Sequence, residues 1–411
     1  MVNEKLKQRF LKYISFDTQS CDESVTISST MKQKDLGEYL SQELLSLGIA
    51  EAFMDEHGYV YAYIPSNCNS NETIGLIAHL DTSDEASGKD VKPQIINKYN
   101  GDIITLNKEL GLYLDPKEFN YLNKVIGHEL ITTDGTTLLG ADDKAGIAII
   151  MTVIEELLNS EIKYPNLIVT FTPDEEIGRG TEAFNYNYYA DKKCKYAYTL
   201  DGGEPNVINF ENFNAATCVV TFTGKSIHPG SAKNKMINAG LVAMEFNELL
   251  PSNMVPALTE NYEGFNHLVE ISGSVSSAKL VYIIRNHDLR IFNSQKELFV
   301  KASEYLNYKY GYSISDVNIK DSYFNMKEIV EKHPIILEKA EEALKENGFV
   351  PTYEPIRGGT DGARLSFMGI TTPNIGTGGA NFHGPYEYVD VDEMKVMVKV
   401  VHNLLQIISE N

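Results

Sequence analysis

Apolar positions recur in two rhythms along the first two hundred residues. A helical spacing runs through residues 3–15, where Leu6, Phe10, Leu11 and Ile14 share a face, and again through residues 30–47, ending near Gly48. Short apolar runs of strand character lie at Tyr59–Ile64, Thr73–Leu80, Leu167–Phe171 and Tyr196–Leu200, and a long apolar helix is predicted after Asp143. Strands separated by helices predict an α/β fold with a largely parallel sheet flanked by helices.

The rhythm changes after about residue 212. Ala216–Thr223 reads as a strand, 238–250 as a helix, His267–Ser272 and Lys279–Arg285 as a strand pair, 294–310 as a helix and Tyr312–Ile319 as a strand. That is a smaller α+β unit with its own hydrophobic faces. From about 325 the first style returns, with a helix near 327–347, strands near Thr352–Pro355 and Thr372–Ile375, and a last helix from Asp392. The chain therefore reads as one domain, 1–212 with 325–411, interrupted by another at 213–324.

Charge narrows the partners. Thirty-six Lys+Arg against 57 Asp+Glu leave a formal charge of −21, and no basic stripe interrupts it. Such a field repels phosphates, which argues against nucleic acid or an anionic membrane as a partner. The first sixteen residues lack the apolar run of a signal peptide, and Ala145–Ile154 is too short to span a bilayer. Cys21, Cys68, Cys194 and Cys218 form no C-x-x-C pair. A soluble, cytoplasmic protein is expected.

In an open α/β sheet, ligands bind beyond the carboxyl ends of the strands. Polar side chains gather there in this sequence. His79 and Asp81, two apart in I-A-H-L-D-T, face one side of a strand. Asp142 and Asp143 precede the apolar helix in G-A-D-D-K-A-G. Asp174, Glu175 and Glu176 follow a strand in T-P-D-E-E-I-G-R-G, Asp201 ends another in L-D-G-G, and His383 lies in the loop T-G-G-A-N-F-H-G-P-Y-E. Each has an ordinary alternative: a His–Asp hydrogen bond, a helix cap, a solvated helix start, a turn, a surface loop. Jointly they supply two His and several carboxylates, the donor set of a dinuclear zinc site. In such a site one Glu ligates metal while its neighbour acts as general base.

Other chemistries lose their footing. His128-Glu129 begins like H-E-x-x-H, but Thr132 stands where the second His belongs. Thr223-Gly224-Lys225-Ser226 lacks the first glycine of a P-loop, because Val219 occupies it. No G-x-S-x-G elbow or strand-following G-x-G-x-x-G is present.

Taken in order, these motifs resemble the aminoacylase/carboxypeptidase G group of di-zinc metallopeptidases. G-A-D-D-K-A-G and P-D-E-E-I-G-R-G carry the wider resemblance. F-E-N-F-N-A-A and R-G-G-T-D-G-A narrow it to tripeptide aminopeptidases. The resemblance implies a zinc-exopeptidase-like catalytic domain interrupted by a lid and dimerisation domain, two Zn²⁺ per subunit, small peptides as substrates and a homodimer. It makes Asp142 the bridge between the ions, with His79 and Asp201 completing one shell and Glu176 and His383 the other. Glu175 becomes the general base, Asp81 the residue orienting the first site, and the Asp142–Asp143 peptide is expected to be cis. His228, in S-I-H-P-G, would offer positive charge to the oxyanion, usually from the other subunit. Arg285 and Arg357 are candidates for the substrate carboxylate and Asn381 for holding the peptide. One departure stands out: Asn286 occupies a position where Asp is expected. A dipeptidase, a carboxypeptidase or an N-acyl-amino-acid hydrolase with the same centre is the nearest alternative, and a non-catalytic zinc-binding protein a more distant one.

Overall fold

The computed structural model describes residues 2–410. They form two compact units. The first comprises the chain up to Phe210, Glu328–Glu354 and the chain from Thr360 onward; the second comprises Glu211–Lys327 with a short return, Pro355–Gly359. That return carries Arg357, so it corrects the reading that placed this segment with the first unit.

The first unit is built on an eight-stranded sheet in the order Glu51–Met54, Val60–Ile64, Asn166–Thr172, Thr73–His79, Tyr196–Leu200, Asn374–Ile375, Val207–Asn209, Thr352–Tyr353. Thr73–His79 pairs in parallel with both neighbours, while Val60–Ile64 and Val207–Asn209 pair antiparallel with theirs towards the centre. The sheet is therefore mixed, with a parallel centre. Thr73–His79 is buried along its whole length, which is why its sequence reads as a continuous apolar run and not an alternation. The helix Ala141–Leu158 is apolar nearly all round because it packs against the sheet, the first helix Val2–Tyr13 and the last helix Val391–Ser409. Asp390 caps that last helix, its carboxylate accepting the amides of Asp392 and Glu393.

A second, four-stranded antiparallel sheet runs Gly379–Ala380, Tyr388–Asp390, Leu130–Thr132, Gln94–Ile96. Its strands are two or three residues long, too short for a periodic signal, and the sequence reading lacks them. The helix expected at 327–347 is instead two, Lys327–Val330 and Ile335–Glu346. Pro334 breaks it, since a proline disfavours helical backbone in the residue before it.

The second unit has a four-stranded antiparallel sheet in the order Phe265–Gly273, Ser277–Asn286, Asn214–Thr223, Ser315–Tyr323. Ser277–Asn286 alternates between buried and partly exposed residues, as expected of a sheet covered on one face. The helices Ala239–Glu248 and Leu289–Tyr310 close a core that includes Phe222, Phe246, Tyr282 and Phe299. The latter helix starts five residues earlier than its apolar spacing suggests, where Asp288 accepts the amide of Ile291. Among the described residues, no helix is long and apolar enough to cross a membrane.

Candidate metal centre

The site lies at the carboxyl ends of the parallel strands of the first unit. His79 ends its strand and is 2% exposed. Its Nδ1 lies 3.0 Å from the backbone carbonyl of Asp81, an acceptor that holds the ring proton on Nδ1 and leaves Nε2 for a ligand. Nε2 points at Asp142 Oδ1, 2.7 Å away. The other oxygen of Asp142 lies 3.4 Å from Nε2 of His383, whose same nitrogen is 2.9 Å from Glu176 Oε2. One carboxylate thus addresses two histidines from different parts of the chain.

Local backbone makes this possible. Asp142 and Asp143 have non-helical torsions although they lie at the head of the long helix, and the peptide between them is cis, as the resemblance implies. Gly140 turns the chain at φ 84°, a left-handed value that favours glycine. Gly146 lets the helix approach the strand end: a Cβ there would sit 2.0 Å from the Leu200 carbonyl and 2.5 Å from Asp143 Oδ1. Asp143 is buried and its Oδ2 accepts the His79 amide at 3.1 Å. The fully buried Asp81 accepts the amides of Glu175 (3.0 Å) and Glu176 (3.2 Å), so it holds the tandem acids in place. His383 has φ 65° and Asn381 φ 56°; the Asn381 side-chain amide donates to the Tyr386 carbonyl at 3.2 Å.

Two sets of donor atoms fall within 4.8 Å of one another here: His79, Asp142 and Glu176, and His79, Asp143 and Asp201. Glu175 belongs to neither. Burial, then the charge of Asp142, pushes Glu176 and Asp201 each up to about 7, and burial followed by Asp201 raises Glu175 well above the usual carboxylate range. Hydrogen bonds to Asp142 and Glu176 lift His383 to about 11. Glu176 Oε1 is buried with no hydrogen-bond partner. Crowded, desolvated carboxylates and an orphaned oxygen fit a pair of divalent cations, which would relieve the repulsion and occupy that oxygen.

Three of the expected residues belong to the second unit. His228 is exposed and opens a short 3₁₀ turn, its Nδ1 accepting the Gly230 amide at 3.1 Å. Arg285 donates to the Ile284 carbonyl (3.1 Å) and stacks over Tyr323. Arg357 donates to the carbonyls of Asn261 and Glu263, both at 2.8 Å, and lies over Phe213. Asn286 donates to Gln295 Oε1 at 2.8 Å and accepts the Asp288 amide. A neutral amide suits both contacts, which gives the departure from Asp a physical place.

The sequence reading leaves several buried acids without a role, Asp143, Asp361 and Glu387 among them. Asp143 is read there only as a cap. Asp361, whose Oδ2 accepts the Thr172 hydroxyl at 2.7 Å, is pushed up to about 6 chiefly by burial. Glu387 lies four residues beyond His383 and accepts three backbone amides. Asp361 sits inside the glycine-rich motif R-G-G-T-D-G-A, which is the signal for it.

The family model described as peptidase family M20/M25/M40 matches residues 132–407. A curated relative, peptidase T of Caldanaerobacter subterraneus subsp. tengcongensis, is 49% identical over 405 residues, 98% of either chain. Among solved structures, the aminopeptidase PepT from Bacillus cereus superposes with a TM-score of 0.77 at 22% identity, covering 99% of this chain and 98% of the other. A tripeptidase from Staphylococcus aureus gives 0.76 at 19%, covering 100% and 99%. The two structures carry the likeness of fold.

Proposed function

The chain belongs to peptidase family M20/M25/M40 and is a peptidase; from that premise we propose a dinuclear zinc aminopeptidase that removes the N-terminal residue from tripeptides. The observation that carries the reading is Asp142, whose two oxygens each face a different histidine. Asp142 would bridge the ions, His79 and Asp201 would complete one shell, and Glu176 and His383 the other. When bound, the pair supplies Lewis-acid polarisation and acidifies water towards a pKa of about 7.

Glu175 adjoins Glu176 in the chain, and its proton affinity, raised by burial and then by Asp201, suits a general base. It takes a proton from the attacking water and hands it to the leaving amine as the C–N bond breaks. Asp81 orients His79 and the Glu175–Glu176 pair. His228 is proposed to offer positive charge to the oxyanion, Arg285 and Arg357 to meet the substrate carboxylate, and Asn381 to hold the peptide. The aminopeptidase and tripeptide assignments draw on the relatives' names.

We further propose a cytoplasmic homodimer formed through the second unit, which would also act as a lid. Support comes from its edge strand, where Val269 and Ile271 are exposed, and from the helix packed near it, where Leu241 and Met244 are exposed.

One experiment tests the core of the reading: hydrolysis of a free tripeptide, its N-acetylated form and the corresponding dipeptide, with zinc content measured on the same sample. Two ions per chain and preference for the free tripeptide are expected. Preferred cleavage of the acetylated peptide would overturn the assignment in favour of an acyl-amino-acid hydrolase.

A further inference from the structure

We propose that Glu387 is a positioning residue that fastens the Asp142 turn to the His383 loop and so sets how the metal donors on the two face each other; the inference rests on the dinuclear reading above. Glu387 is 1% exposed. Its Oε2 accepts the amides of Leu139 (2.7 Å) and Gly140 (2.9 Å), and its Oε1 accepts that of Asp142 (3.1 Å). A carboxylate removed from water needs such donors, and short charge-assisted hydrogen bonds of this kind are the strong ones.

The donors need the carboxylate equally. Leu139 and Gly140 precede the helix and Asp142 lies in its first turn, where backbone amides have no partner within the helix. At the other end, Glu387 is built into the loop that bears His383. Its amide donates to the Gly384 carbonyl at 3.2 Å, and the strands on either side of the loop, Gly379–Ala380 and Tyr388–Asp390, pair with each other. One buried side chain thus has its root in the loop of one metal donor and its tip in the turn of another. The two donors it holds together, His383 Nε2 and Asp142 Oδ2, lie 3.4 Å apart. Groups that orient metal donors tune the affinity of the site, so play between loop and turn is felt at the centre.

The test compares wild type with Glu387→Gln and Glu387→Asp. Gln keeps the volume but replaces one acceptor oxygen by a donor that faces backbone amides. Asp keeps the charge but is one methylene short. Zinc affinity is measured by competition with a chromophoric chelator, and the visible spectrum is recorded for the cobalt-loaded proteins. Both variants are expected to hold the first ion near wild-type affinity, to bind the second about 10–100-fold more weakly, and to show altered cobalt absorption. If one variant fails to fold, the other is decisive. A folded variant with a lower melting temperature but wild-type affinity and spectrum would overturn the proposal, because the residue would then serve the fold alone. A wild-type chain that holds fewer than two ions would overturn the dinuclear reading itself.

Discussion

The two units differ in the acids they bury. The first hides acids: Asp81, Asp143, Asp174, Asp361, Glu387 and Asp390 are all under 9% exposed. The second hides mainly amides and hydroxyls. There Asn214 donates to the carbonyls of Asn286 and His287, Gln295 donates to Asn266, and Ser303 meets Ser315 at 2.7 Å. Glu211, a carboxylate buried in that unit, is answered by Lys327 at 2.8 Å and by the Tyr262 hydroxyl. Neutral groups that satisfy one another hold a structure and ask for nothing else. Clustered carboxylates with raised proton affinity are costly unless something positive arrives. The contrast separates a unit whose buried polar groups answer one another from one that also carries the candidate metal centre.

The largest expected effect tests the division of labour among the acids. Glu175→Ala should lower turnover by about 10²–10⁴-fold while two zinc ions stay bound; metal analysis showing their loss would move Glu175 into the donor set. Chelation comes next. At zinc a thousandfold above its dissociation constant, each ion contributes about 4 kcal/mol to stability. Hydrogen exchange after chelation should show lost protection around residues 139–146 and 381–387, with Ser277–Asn286 unchanged. Equal loss in both units would break the comparison.

His228→Ala asks whether the second unit contributes to chemistry. Turnover should fall by about 10²-fold with metal content and melting temperature unchanged; a fall in metal content would instead tie His228 to the buried centre. The smallest effect belongs to the amide network. Asn214→Ala removes two donated bonds and the acceptor of the Asn325 amide, so denaturation should show a loss of about 1–3 kcal/mol, with both zinc ions retained.

Strand ends made the centre legible in the sequence. His79, Glu175, Glu176 and Asp201 each follow an apolar run, so the pattern that predicts the strand also predicts where its polar end emerges. Asp142 and His383 were readable from motif blocks, because glycines beside acids and imidazole seldom serve a core. Glu387 was not, since its partners are backbone amides some 250 residues earlier, which no local pattern records. The small sheet escaped because strands of two or three residues show no alternation. The broken helix near Pro334 was readable and was missed: amphipathic spacing continued across a residue that forbids it.

The loop carrying His383 has a consequence in the order of synthesis. His79, Asp142, Glu176 and Asp201 all leave the ribosome ahead of it, and the residues from Asp201 to His383 take on the order of tens of seconds to add at usual translation rates. During that interval the growing chain holds most of the donors and lacks the one that faces the second oxygen of Asp142. On the proposed donor set, a nascent chain has no complete centre until the His383 loop has been added.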